Sequence, residues 1–259
     1  MMKSSMTSQP LTVALLLSLV WAIQMPLPPG VQAKPATTSL QFKMPPLPSR
    51  GRPIGRYRGG ASRGNCPAVT LPLTALVPFT KQPGRIPGEE IASVWGLTTS
   101  ARPTFWFFTP YANGSTFPAE FVLQNEDGSD VYRTPVALPP QSGVLGVRLP
   151  SEVTALQPNT SYRWFFRIYC NQKKTDPPIF VEGLIRRVSL EQPIARQLKT
   201  VDPRQKVALY ASNGIWYDAL TTLADLRFAN PQDESLIADW KSLLASIDLA
   251  NLAAVPLVQ

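Results

Sequence analysis

The chain has 259 residues, a formal charge of +8, 44% apolar residues, two cysteines and no histidine. The apolar content suits a globular protein, and the missing histidine excludes histidine-based triads, Cys-His pairs and histidine metal sites. Two cysteines cannot hold zinc alone, so no metal or cofactor is expected, and only carboxylate chemistry remains open to an enzyme.

Residues 11–23, "LTVALLLSLVWAI", are apolar apart from Thr12 and Ser18, and Val31 and Ala33 stand at the small-residue positions of a cleavage site. This pattern is a secretory signal peptide over residues 1–33, with the mature chain starting at Lys34. The apolar run of thirteen is shorter than the ~20 residues of a spanning helix, so no transmembrane segment is expected after cleavage. The protein is expected to be exported, to the periplasm or the extracellular space.

Residues 34–64 read as a basic, Pro/Gly-rich tether. Between residues 34 and 85 there are nine Lys or Arg and no acid, whereas from residue 89 onward fifteen basic residues face seventeen acids. Prolines in "KMPPLPS" and "GRPIG" disfavour helices and central strands, which suggests an extended, solvated segment. Its end, "GRPIGRYRGGASRGNC", sets Arg52, Arg56, Arg58 and Arg63 among glycines and forms the candidate binding patch. An RNA-binding box has no RNA to meet outside the cytoplasm, and these glycines lack the strand-before, helix-after setting of a phosphate loop. Nucleic acid is therefore not an expected partner. An anionic glycan or surface, or an envelope protein, is the expected counterpart, and a solvated linker with no ligand is the plainer alternative.

Cys66 and Cys170, the two cysteines, are expected to form one disulfide in an oxidising compartment. No Cys-x-x-Cys spacing supports a reactive thiol pair.

Residues 65–190 read as a β-sandwich domain. "PTFWFFTPY", "AEFVLQNEDGSDVYRTPVAL", "SGVLGVRLP", "SYRWFFRIYC" and "IFVEGLIRRVSL" are short, β-branched or aromatic, and separated by Pro, Gly and Asn. Alternation in "SYRWFFRIYC" places Tyr162, Trp164, Phe166, Ile168 and Cys170 on a core face, with Arg163, Phe165, Arg167 and Tyr169 opposite. "NEDGSD", residues 125–130, has carboxylates at calcium-like spacing but lacks the distal Glu, and Asp127-Gly128 reads as a hairpin turn. "LQPNTSY" resembles the Leu-x-Pro-x-Thr-x-Tyr run of fibronectin type III domains at Leu156, Pro158, Thr160 and Tyr162. That resemblance implies a tyrosine corner and an immunoglobulin/fibronectin-III-like sandwich.

Residues 191–259 form an α-helical C-terminal segment with period 3.6. Asp202, Pro203 and Gln205 supply a cap, a first-turn proline and a capping-box residue, and Asn213-Gly214 stops that helix. A second helix carries Ile215, Trp216, Ala219, Leu220 and Leu223 to Asn230-Pro231, and a third has a stripe of Leu236, Ile237, Trp240, Leu243, Leu244 and Ile247. The hairpin resembles one tetratricopeptide repeat through Tyr210, Ala219, Leu223 and Pro231, with Pro203 and Val207 departing from the usual Trp and Gly. The fold class is thus mainly β with a C-terminal α segment.

The Arg-Gly segment ending at Cys66, "LTALVP", "GLTTSARPTFWFFTPY", "SYRWFF", "VEGLIRRV" and "NGIWYDALTTLADLR", in that order, resemble the cyanobacterial domain of unknown function 928 family. Against that pattern the chain has Gly59-Gly60-Ala61 in place of a longer glycine stretch and an added "KQPGRIPGEEIASVW" before Gly96. The resemblance implies a structural role for the Arg-Gly segment and brings no activity with it. Two functional readings follow. The first is an exported cell-envelope binding or scaffolding protein with no catalytic site evident. The second is a carboxylate-dependent hydrolase acting on envelope polysaccharide, although no pair among the seventeen acids is nominated by its spacing.

Overall fold

A computed structural model describes residues 39–47, 53–59, 66–86, 90–112 and 117–258. All of these belong to one compact unit spanning Thr37–Gln259. Residues 1–33, expected to be a signal peptide, Lys34 and the patch residues Arg52 and Arg63 lie outside the described residues.

The described elements begin with strands β1 (Ile54–Gly55), β2 (Thr74–Ala75), β3 (Phe79–Pro83), β4 (Glu90–Thr98) and β5 (Thr104–Thr109). There follow β6 (Ala119–Gln124), β7 (Asp130–Val136), β8 (Gly143–Arg148), β9 (Ser161–Ile168) and β10 (Ile179–Arg187). Helices α1 (Gln192–Thr200), α2 (Pro203–Ser212), α3 (Trp216–Ala229) and α4 (Glu234–Ala245) and the short strand β11 (Leu257–Val258) complete the order. The protein is mainly β, with the helices at the C-terminal end.

The strands form two sheets. The larger has seven strands in the order β1-β4-β10-β9-β6-β7, with β3 also paired to β4, and the smaller runs β11-β8-β5-β2. β10 pairs with β4 in parallel, as β11 does with β8. The alternation read in β9 holds: Tyr162, Trp164, Phe166 and Ile168 are each at most 5% exposed. Between the sheets, Phe107 stacks on Phe166 at 4.5 Å and Phe105 meets Phe121 at 4.7 Å. Burying one such ring contributes about 1.5–3 kcal/mol.

β5 is buried along its whole length because its second face is also covered. Trp106 points away from the inter-sheet core, donates its indole N–H to Thr221 Oγ1 of α3 at 3.0 Å and stacks on Phe228 at 6.3 Å. Trp216 of α3 donates to the Leu76 carbonyl at 2.8 Å, and Trp164 donates to the Tyr217 hydroxyl at 2.9 Å. α3 thus packs on β5 of the smaller sheet and also reaches β4 and β9 of the larger.

The helix signals act as their chemistry dictates. Asp202 accepts the Gln205 N–H at 2.9 Å, and Gly214 takes φ 75° just beyond α2, a left-handed backbone that an ordinary side chain resists. Asp233 caps α4, whose stripe is buried at Leu236, Trp240, Leu243 and Leu244 while Ile237 stays exposed, and Ile247 is buried just past the helix end. α1 precedes the three expected helices and buries only Leu198. In "NEDGSD" the Ser129 N–H is held by the Asn125 and Asp127 side chains, an ordinary hairpin turn.

The stretch expected to be a solvated tether is anchored to the body at several of its described residues, although others, Leu47 and Ile54 among them, stay exposed. Leu40 is buried, and its carbonyl accepts the Ser242 hydroxyl at 2.9 Å. The Lys43 N–H donates to the Ala211 carbonyl at 3.0 Å, and Phe42 meets Trp216 edge-on at 5.0 Å. Proline keeps this segment extended, but an extended chain still offers backbone donors to the orphan carbonyls at a helix end, here the last turn of α2.

Candidate functional site

The described part of the Arg-Gly segment is a strap joining the two sheets. Ile54 and Gly55 lie opposite Ser93 and Ala92 of β4. Arg56 then exchanges two backbone hydrogen bonds with Glu182 of β10, each 2.9 Å, while the Tyr57 carbonyl accepts the Ala75 N–H at 2.8 Å and the Gly59 N–H donates to Leu73 at 2.7 Å. Within five residues the chain therefore passes from the larger sheet to the smaller. Gly55 is required by contact: a β-carbon there would stand 2.6 Å from the Glu182 carbonyl oxygen and 2.8 Å from Val94 Cβ. The Cys66–Cys170 disulfide, with 5.0 Å between Cα atoms, then fastens the start of the body beyond the end of β9.

This geometry separates the two described members of the candidate patch. The Arg56 guanidinium lies 4.7 Å from the Phe180 ring, on the outer face of the larger sheet. Tyr57 stacks on Phe79 at 3.6 Å, and the Arg58 guanidinium sits 5.3 Å from the Tyr57 ring. Tyr57, Arg58, Phe79, Thr80, Lys81 and Asp248 line a hollow of about 500 Å³. The Lys81 ammonium meets Glu90 at 3.0 Å, and the hydrogen bond to Glu90 followed by the Tyr57 hydroxyl raises its pKa. An aromatic stack flanked by the Arg58 guanidinium, and by a Lys81 ammonium that Glu90 already partners, offers an apolar platform with a cationic edge for an anion.

The outer face of the larger sheet is built differently. Arg163 pairs with Glu182 at 3.1 Å, and Glu120 receives Arg167, Arg133 and the Tyr169 hydroxyl, each at 3.1 Å. Burial pushes the Glu120 carboxyl up, but the hydrogen bonds from Arg167, Tyr169 and Arg133 outweigh it and hold the group below the usual glutamate range. Arg167 also rests over the Phe165 ring at 4.8 Å. These arginines are matched to acids of their own sheet, which leaves little charge for a polyanion.

A second hollow, of about 210 Å³, has Asp218 and Asp225 of α3 in its wall. Asp218 accepts the Thr98 hydroxyl at 2.6 Å, the Thr99 hydroxyl at 2.5 Å and the Thr99 N–H at 3.1 Å. Burial raises its pKa against the pull of those donors. Asp225 pairs with Arg148 at 3.4 Å. Two turns apart on one helix, the two carboxylates share a wall with Cα atoms about 10 Å apart, whereas a glycosidase needs its acids on opposite sides of the scissile bond. No cluster of three metal-ligating side chains occurs among the described residues.

Sequence reading found Arg58 but not its setting. Phe79 and Lys81 lie more than twenty positions away and show no spacing signal. Asp218 had one: it is a charge set between the buried residues Tyr217 and Ala219 of an apolar helix.

Among curated proteins no match is found. The model of the family described as Domain of Unknown Function (DUF928) matches residues 58–257, from Arg58 in the strap to Leu257 in β11. That match takes in β2 to β10 and all four described helices, and the chain belongs to the DUF928 family.

Proposed function

We propose that this protein is an exported binding and scaffolding module of the cell envelope, and that it takes anionic glycan in the hollow between β1 and β3. The observation that carries the reading is the placement of Arg58 and Lys81 around the stacked Tyr57 and Phe79 rings. A sugar ring lies against an aromatic face through its C–H groups, and a carboxylate or sulfate on that sugar meets Arg58 and draws Lys81 from its exposed pair with Glu90.

The scaffold supports recognition. β2, β5 and β8 share one sheet, while β6, β7, β9 and β10 share the other. With β1, β3, β4 and β11 set aside, this division supports the immunoglobulin/fibronectin-III-like reading. The Tyr162 hydroxyl accepts the Gln157 N–H at 2.9 Å, as a tyrosine corner does. Trp216 and Tyr217 of α3 are buried, which supports a reading of α2 and α3 as a single repeat-like hairpin that braces the edges of both sheets rather than forming a groove. The disulfide and the apolar run at residues 11–23 both favour export.

The test is retention of the mature protein on immobilised polyuronate. Arg58→Ser and Lys81→Ser are expected to weaken retention, most at low salt, because exposed charges are screened within ~8 Å at physiological ionic strength. Arg56→Ser, on the other side of the strap, is expected to leave it unchanged. Equal losses for Arg56→Ser and Arg58→Ser, or no loss for any variant, would overturn the assignment.

A further inference from the structure

The second hollow opens where the end of β4, the start of β5 and the end of β8 meet α2 and α3. Its lining includes Thr98, Arg102, Arg148, Tyr210, Asp218 and Asp225. Asp218 is the inner group, fixed by Thr98 and Thr99. The outer groups are Arg148 and Asp225, paired at 3.4 Å with side chains 62% and 56% exposed. The Arg102 guanidinium is anchored on the Ser151 carbonyl at 2.9 Å.

We propose that this hollow is a receptor for a small zwitterion, a molecule with an ammonium and a carboxylate a few atoms apart, as in an α-amino acid. Asp225, with Asp218 behind it, receives the ammonium; Arg148 and Arg102 receive the carboxylate.

The size, the charges and the looseness of the outer pair each support this class. A space of about 210 Å³ lies below the range of roughly 300–1,000 Å³ that holds drug-sized molecules, and suits one amino acid or one sugar. Both signs of charge converge on it. A neutral sugar would strip water from two guanidinium groups and the exposed Asp225 carboxylate while supplying no charge in return, whereas a zwitterion replaces each solvated partner with an ionic one. An ion pair as exposed as Arg148–Asp225 is worth only ~0–1 kcal/mol, so a ligand separates it at small cost. Asp218 alone reads as a latch between α3 and the Thr98–Thr99 corner, but a latch gives no reason for Arg148, Asp225 and Arg102 to gather at the same opening. The proposal stands independently of glycan binding at the other hollow.

Isothermal titration of the mature protein tests it, with glycine, both enantiomers of alanine and of glutamate, N-acetylglycine, glycine methyl ester and glucose as probes. At least one free amino acid is expected to bind with a Kd on the order of 1 mM or below. Acetylation or esterification is expected to weaken binding at least tenfold, since each removes one charge. Arg148→Gln and Asp225→Asn are each expected to cost about tenfold in affinity without lowering the melting temperature, in keeping with the weakness of the exposed pair. Arg133→Gln, on the far face of the larger sheet, is expected to leave affinity unchanged. The proposal is overturned if no amino acid binds at about 10 mM, tenfold above that Kd. It is equally overturned if glucose binds more tightly than every amino acid, or if the Arg148 and Asp225 variants bind as the unaltered protein does.

Discussion

Substituting Gly55→Ala tests the strap, because two physical effects of opposite sign compete there. Its backbone is not left-handed, so alanine restricts the unfolded chain and, with room for the methyl group, would stabilise the fold by about 0.4–1 kcal/mol. There is no room: the β-carbon would stand 2.6 Å from the Glu182 carbonyl oxygen, 2.8 Å from Val94 Cβ and 3.2 Å from Gly183 Cα. Two of these neighbours are backbone of β10, already paired with β9 and β4, and cannot swing aside as a flexible side chain would. The strap must lift, loosening the paired hydrogen bonds between Arg56 and Glu182. Overpacking of this kind costs about 1–3 kcal/mol. At about 2–4 °C per kcal/mol for a domain of this size, melting should fall by roughly 2–12 °C. Differential scanning calorimetry of the mature, disulfide-bonded protein measures this directly. An unchanged or raised melting temperature would refute the close approach and with it the strap.

Further expectations rest on other parts of the structure. The Cys66–Cys170 bridge spans 104 positions, and closing a loop of that length is worth about 4–5 kcal/mol in the chain-entropy model, so Cys170→Ser should melt well below the parent; alkylation of unreduced, denatured exported protein should find no free thiol. Glu120 is held below its ordinary pKa, so its contribution is present above the unfolded value near pH ~4.3 and is lost as pH falls through the folded value. Glu120→Gln should therefore lower stability by about 1.5–3 kcal/mol at neutral pH and flatten the acid limb of the stability curve; an acid limb as steep as the parent's would contradict the network. Mass spectrometry of protein from its native host should find Lys34 at the amino terminus, and an intact Met1 in the exported fraction would refute processing.

Where burial is one-sided, period-two alternation was enough to place the faces of β9, and capping chemistry placed the start of α2. β5 was also found, from its aromatic density, although its Thr-Phe-Trp-Phe-Phe-Thr run is buried on both faces and does not alternate in polarity. β4 was missed. Its Glu-Ile-Ala-Ser-Val-Trp-Gly-Leu-Thr mixes small and apolar residues because helix α3 packs against it, and Tyr217 comes within 3.0 Å of where a Gly96 side chain would begin. The stretch noted as an addition, "KQPGRIPGEEIASVW", in fact supplies most of β4 and the end of β3. The tether misled for a related reason: composition reported its extended backbone, while the helix carbonyls and the Trp216 ring that receive it lie more than 160 positions away. The candidate site shared that difficulty. Arg58 is conspicuous in sequence, but Phe79, Lys81 and Asp248 join it only through strand pairing and the return of the chain after α4.

The central claim, anionic glycan held between the strap and β3, is tested most directly by a crystal structure of the mature protein with a uronic-acid oligosaccharide. The account predicts a sugar ring against the Tyr57–Phe79 stack with its carboxylate on Arg58 and Lys81. Density for the sugar on the outer face of the larger sheet, at Phe165 and Phe180, or no ordered sugar in a protein that still binds the polymer in solution, would contradict it.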